Sequence, residues 1–120
     1  MEKEKIVYVD MGSMAIVASK KPKNYVHVVF NNGAHDSVGG QPTVGLNIDL
    51  PRIARAVGYP HTYSVSTKSD LIDVINDIKA YEDLAFLEIK VKKGNRKDLG
   101  RPTTTPIENK EALMKFLKDE

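Results

Sequence analysis

The residues with chemistry to offer cluster behind one apolar run. Tyr25-Val26-His27-Val28-Val29-Phe30 ends abruptly at Asn31-Asn32-Gly33, and Ala34-His35-Asp36-Ser37-Val38-Gly39-Gly40-Gln41-Pro42-Thr43 follows. Two asparagines at a strand terminus offer carbonyl oxygens, and Gly33-Ala34 can turn backbone carbonyls toward the same point. Mg²⁺ takes hard oxygen ligands in a near-octahedral array, a few from the protein and the rest from phosphate and water. An Asn side chain with a backbone carbonyl two residues on meets that need. Gly39-Gly40 lets the chain bend tightly or approach a ligand closely. The simpler reading is a turn, since Asn and Gly both tolerate positive φ, and on residue types alone that reading takes precedence.

The elements that must position this loop alternate between two periods. Lys5-Ile6-Val7-Tyr8-Val9 reads as a strand ending at Asp10, and Met11 to Ser19 as a helix that stops before Pro22. Tyr25 to Phe30 is apolar nearly throughout, the pattern of a strand covered on both faces. Gly33 to Gly45 has no periodicity and predicts a long loop of special geometry. Asp49 caps a helix with Pro51 in its first turn and a stop at Gly58. Tyr63 to Ser66 is a short strand, and Ser69 caps a helix whose stripe Leu71, Ile75 and Ile78 predicts core. Leu84 to Val91 alternates as a strand. Lys92 to Pro106 is basic and irregular, Thr103-Thr104-Thr105 leads into a helix, and Ile107 to Leu117 forms it with Ala112, Leu113, Phe116 and Leu117 on one face.

This order predicts an α/β fold: a mostly parallel sheet with helices on both faces, in one domain spanning 1–120. Ligands in such sheets bind beyond the carboxyl ends of the strands, where Asn31-Asn32-Gly33 falls. With 41% hydrophobic and 28% charged residues the balance is that of a globular domain, not a disordered one. A net charge of +2 is too small for a nucleic-acid footprint. No apolar run approaches the roughly 18–20 residues that cross a bilayer, so no membrane partner is expected. Met1-Glu2-Lys3-Glu4-Lys5 does not read as a signal peptide, and cysteine is absent, which together predict a cytoplasmic setting.

The string from Asn31 to Thr43, extended through Val44-Gly45, closely resembles the thiamine-diphosphate-binding (Rossmann-like) domain of phosphonopyruvate decarboxylases. Met11-Gly12-Ser13-Met14-Ala15 and the run from Lys92 through Lys93-Gly94-Asn95-Arg96-Lys97-Asp98-Leu99-Gly100-Arg101-Pro102 to Thr103 look like that family too. The resemblance covers nearly the whole chain and corresponds to the C-terminal domain of such an enzyme. Asn-Asn alone is a weak signal, whereas the unbroken string is a strong one and separates this group from the similar sulfopyruvate decarboxylases. The resemblance implies thiamine diphosphate and Mg²⁺ as cofactors, with Asn31, Asn32, Gly33 and Ala34 as the cofactor-binding set. Asn32 would ligate Mg²⁺ through its side chain and Ala34 through its backbone carbonyl, while His35, Asp36 and Ser37 would lie near cofactor or substrate. The implied reaction converts phosphonopyruvate to phosphonoacetaldehyde and CO₂ in a homo-oligomer.

Two departures from the family pattern follow. The family opens its cofactor motif with Gly-Asp-Gly at the end of the preceding strand, but here Tyr8-Val9-Asp10 runs straight into Met11-Gly12-Ser13. Asp10 stands 22 positions before Asn32, fewer than the family spacing. Either Asp10 takes over the metal carboxylate, or it is the residue that ordinarily precedes the motif and points elsewhere. The activating glutamate of these enzymes comes from a pyrimidine-binding partner domain or subunit. In this chain Glu2, Glu4, Glu82, Glu88, Glu108, Glu111 and Glu120 read as solvated charges. No catalytic residue is therefore assigned, and the chain is expected to be inactive alone. The competing reading is a non-catalytic α/β assembly module that kept the fold and lost the site. His27 reads as a packed core histidine and His61 as a connector residue, while the basic stretch Lys92 to Arg101 reads as a solvated face or a phosphonate or subunit contact.

Overall fold

The computed structural model describes residues 11–98, 100 and 102–118. The strand expected at Lys5 to Val9, and with it Asp10, lies outside the described residues. A short 3₁₀ turn at Met11–Ser13 leads into α1 (Met14–Lys20), which ends on Lys21 in the left-handed conformation just before Pro22. β1 (Val26–Asn31) follows, then a two-residue hairpin of β2 (Ala34–His35) and β3 (Gln41–Pro42) around a 3₁₀ turn at Asp36–Val38. The remaining elements are α2 (Leu50–Val57), β4 (His61–Val65), α3 (Lys68–Ala80), β5 (Ala85–Lys90) and α4 (Pro106–Lys118).

The main sheet is parallel, in the order β1-β5-β4, with Val26 opposite Ala85 and His61 opposite Ala85 on the other side. β5 is thus the central strand, and Ala85 to Glu88 are all buried. That revises the expectation for β1. Its burial alternates, and Val26, Val28 and Phe30 stay 40%, 43% and 70% exposed among the described residues. Continuous apolarity did not distinguish the strand buried on both sides from its half-covered neighbour.

The core lies on the face that β1 and β5 turn toward α1 and α2. Met14, Ala18, Leu50, Ala54, Tyr59, Leu84 and Phe86 form it, with Val17, Tyr25, Val29 and Val57 against them. His27 is buried among Tyr25, Tyr59 and Phe86 and pairs its Nδ1 with the Tyr59 hydroxyl at 3.3 Å, so it is the packed histidine its strand implied. Burial lowers its pKa, because the charged ring would lose hydration there.

Helix limits follow from local chemistry. Asp49 Oδ1 accepts from Arg52 N at 2.9 Å, Pro51 sits in the first turn, and Gly58 closes α2 in the left-handed conformation. α3 is capped by Thr67, not Ser69: Thr67 Oγ1 accepts from Asp70 N at 3.1 Å. Its stripe is also shallower than expected. Leu71 and Ile78 are half-buried, Ile75 is exposed, and α3 contributes no fully buried residue. The threonine run leads into α4 as expected, and the helix begins with a capping box in which Thr105 and Glu108 bond reciprocally. Its apolar residues Ile107, Leu113, Met114 and Leu117 face solvent.

Candidate functional site

Asn31 closes β1 on the core face, 6% exposed, and every polar atom of its amide is engaged. Nδ2 donates to Glu88 Oε1 at 2.7 Å and to the Gly45 carbonyl at 2.8 Å, while Oδ1 accepts from Gly33 N at 3.1 Å. Asn32 repeats the turn one residue later. Its Oδ1 accepts from Ala34 N at 3.0 Å, and its Nδ2 donates to Asp36 Oδ2 at 2.7 Å. Two consecutive Asn turns therefore shape the chain as it leaves the sheet. Gly33 is needed between them: its φ is +65°, and a Cβ there would lie 2.6 Å from the Leu46 side chain.

The stretch expected as a loop thus contains a small ladder. Thr43 N donates to the Gly33 carbonyl and Gly40 N to the His35 carbonyl, each at 2.8 Å. Strand alternation then turns the Ala34 carbonyl away from β3, to the side where Ala34 N meets Asn32 Oδ1. The side-chain oxygen of Asn32 and the backbone oxygen of Ala34 therefore both lie on the side of β2 away from β3. Each retains a lone pair for a cation.

The segment after β5 docks on this hairpin. Gly94 N donates to Asp36 Oδ2 at 3.0 Å, and Lys93 Nζ donates to the Gly40 carbonyl. The start of the basic stretch is therefore structural, while Arg96 pairs with Asp98 in solvent. Asp36 is half-buried and serves as the clasp between Asn32 and Gly94; His35 and Ser37 are exposed.

At Glu88 the structure departs from the sequence expectation. Glu88 is not a solvated charge but a carboxylate only 2% exposed on the central strand. Its Oε1 holds Asn31, and its Oε2 accepts from Ser64 Oγ of β4 at 2.6 Å. Alternating polarity along Leu84 to Val91 placed it outward, but the sheet end where it lies is roofed by the loop before α2. The signal available was a carboxylate amid Phe86, Leu87 and Ile89, because a charge in such company needs partners. Glu88 and Ser64 also form the floor of an open depression of about 400 Å³, walled by Leu46, Asn47, Ile48, Asp49, Pro51 and Lys90. Among the described residues no group of three or more His, Cys, Asp or Glu side chains gathers to hold a metal. The oxygens that the described residues could offer a divalent ion here are the neutral ones of Asn32 and Ala34.

No protein-family profile matches the chain. It is 37% identical over 102 residues to the phosphonopyruvate decarboxylase of Streptomyces viridochromogenes, a match covering 85% of this chain and 26% of that enzyme. It is 34% identical over 106 residues to the phosphonopyruvate decarboxylase of Streptomyces hygroscopicus, covering 88% of this chain and 26% of the relative. Against the sulfopyruvate decarboxylase of Methanosarcina acetivorans it is 33% identical over 101 residues, covering 83% of this chain and 25% of the relative. The chain is thus homologous to a segment of these decarboxylases, and it spans about a quarter of their length.

Proposed function

From this kinship with phosphonopyruvate and sulfopyruvate decarboxylases, we propose that the chain is the diphosphate- and Mg²⁺-binding part of a thiamine-diphosphate-dependent 2-oxo acid decarboxylase acting on phosphonopyruvate. The observation that supports the reading is the pair of Asn turns at the carboxyl end of β1, the second of which sets Asn32 Oδ1 on the side of β2 to which strand alternation turns the Ala34 carbonyl. Asn32 and Ala34 are the metal ligands, and Asn31 and Gly33 set the turn that presents them. His35 and Ser37 lie exposed on the same hairpin, where they meet the substrate or the partner, and Asp36 keeps the hairpin closed. When bound, thiamine diphosphate supplies an electron sink for the carbanion left as CO₂ departs. The pyrimidine end needs a glutamate from a partner domain or subunit, so turnover requires that partner and a homo-oligomeric assembly.

Among the described residues the cation ligands are neutral oxygens and the family's Gly-Asp-Gly carboxylate has no counterpart; Asp10, outside them, is the carboxylate that would complete the set, and without it Mg²⁺ is held weakly. The proposal is tested by thermal unfolding with thiamine diphosphate and Mg²⁺ together and separately. Ligand at about ten times its Kd stabilises by ~1.4 kcal/mol, an upward Tm shift of several degrees for a domain this size. The shift should need both components. No shift at millimolar concentrations, with the partner domain added, would overturn the reading. The alternative, an assembly module without cofactor, draws on the exposed apolar residues of β1 and α4. It predicts a stable dimer by light scattering that is blind to both components.

A further inference from the structure

The buried carboxylate at the end of the central strand does more than fill space. A carboxylate accepts hydrogen bonds and cannot donate them, so the side of Asn31 that faces Glu88 must be its NH₂. The opposite amide orientation would set Asn31 Oδ1 against a carboxylate oxygen and aim two donors at Gly33 N. With NH₂ fixed toward Glu88 and the Gly45 carbonyl, Oδ1 can only face Gly33 N. That bond begins the first Asn turn, and the second turn, on Asn32 and Ala34, starts at the next residue. Ser64 holds the other carboxylate oxygen from the neighbouring strand, so Glu88 is anchored independently of the loop it orients. Two segments distant in sequence converge on Glu88, the end of β1 through Asn31 and β4 through Ser64, while the Gly45 carbonyl holds the same Asn31 amide from the approach to α2.

We propose that Glu88 is a positioning residue for the cation half-site, fixing the amide orientation of Asn31 and through it the turn that presents Asn32 Oδ1 and the Ala34 carbonyl. The link to a cation rests on the cofactor reading above, but the orientation of Asn31 does not. Glu88→Met keeps length and removes both acceptors. Glu88→Gln keeps an acceptor for Asn31 and offers an NH₂ to the rotatable Ser64 hydroxyl.

The readouts are hydrogen exchange of the Gly33 amide and the Asn31 side-chain NH₂ by NMR, and calorimetric titration with thiamine diphosphate and Mg²⁺. Glu88→Met should speed both exchange signals about tenfold or more while distant β4 and β5 amides keep their protection. It should weaken cofactor binding about 10–100-fold, with Glu88→Gln restoring wild-type behaviour to within about threefold. Unchanged exchange in a folded Glu88→Met overturns the proposal, as does a Glu88→Gln variant as impaired as the Met variant. Should Glu88→Met not fold, the wild-type protein decides. Asn31 NH₂ protons protected relative to those of the exposed Asn95 support it, and equal exchange overturns it. A wild-type chain that binds no cofactor refutes the cofactor reading alone, since exchange still reports on Glu88.

Discussion

Gly45→Ala probes the half-site through its least conspicuous contact. A Cβ at this position would lie 2.8 Å from Asn31 Oδ1 and 3.1 Å from Thr43 Oγ1, several tenths of an ångström inside ordinary contact. Asn31 cannot swing aside, because its amide is held by Glu88, by the Gly45 carbonyl and by Gly33 N. The loop must therefore move and release at least the Gly45 bond. Overpacking of this kind costs about 1–3 kcal/mol, and alanine returns about 0.4–1 kcal/mol by restricting the unfolded chain. Gly45 does not occupy the left-handed region, so no dihedral penalty adds to the sum. The expected net loss is ~1–2 kcal/mol, with weaker binding of thiamine diphosphate and Mg²⁺. Gly100→Ala is the control: no described atom lies within 4 Å of its Cβ, so it gains the same unfolded-state benefit without the clash. Urea unfolding followed by far-UV circular dichroism measures both, tryptophan fluorescence being absent from a chain with no tryptophan. Equal stability of the two variants within about 0.5 kcal/mol, with unchanged cofactor titration, would refute the reasoning.

Asn32→Ala removes the side-chain oxygen proposed as a cation ligand and the bonds to Ala34 N and Asp36, which should lower stability by about 1–2 kcal/mol and, on that proposal, abolish the Mg²⁺-dependent thermal shift. A folded variant with an undiminished shift would exclude Asn32 as a ligand. Burial holds the pKa of His27 below its ordinary value of about 6.5, so the unfolded chain takes up this proton first. Stability should fall as pH drops from about 6.5 toward the folded value, seen as a lower urea midpoint at pH 5 than at pH 7.5; the double variant His27→Phe and Tyr59→Phe should flatten that slope. Thr67→Ala should cost ~1 kcal/mol while Ser69→Ala stays within about 0.5 kcal/mol, because Thr67 caps α3. Equal losses in equilibrium unfolding would contradict the assignment.

Much of the fold was legible because its signals are local. Asp49, Pro51 and Gly58 bound α2 through a cap, a fixed φ and a left-handed stop, and each acts within a few residues. The Thr105–Glu108 box is local in the same way. The α3 start was misjudged because Thr67 and Ser69 carry the same kind of oxygen, and only backbone geometry at Thr67 lets that oxygen reach Asp70 N. The α3 stripe was read as core because periodicity reports which side of a helix is apolar, not how much protein lies against it.

For the site, the residues from Asn31 to Thr43 announced the turn, the possible oxygen ligands and the relationship to the decarboxylases by sequence alone. The sequence also located the loop at the carboxyl end of a strand, since strand and turn signals meet there. What tertiary structure decided was the status of Glu88. Its partners Asn31 and Ser64 stand 57 and 24 positions away in the chain, and parallel pairing of β5 between β1 and β4 brings them together. A carboxylate's role depends on what surrounds it, and in a parallel sheet those neighbours come from remote segments. Residue order names the groups; only the register of the sheet sets which of them hydrogen-bond.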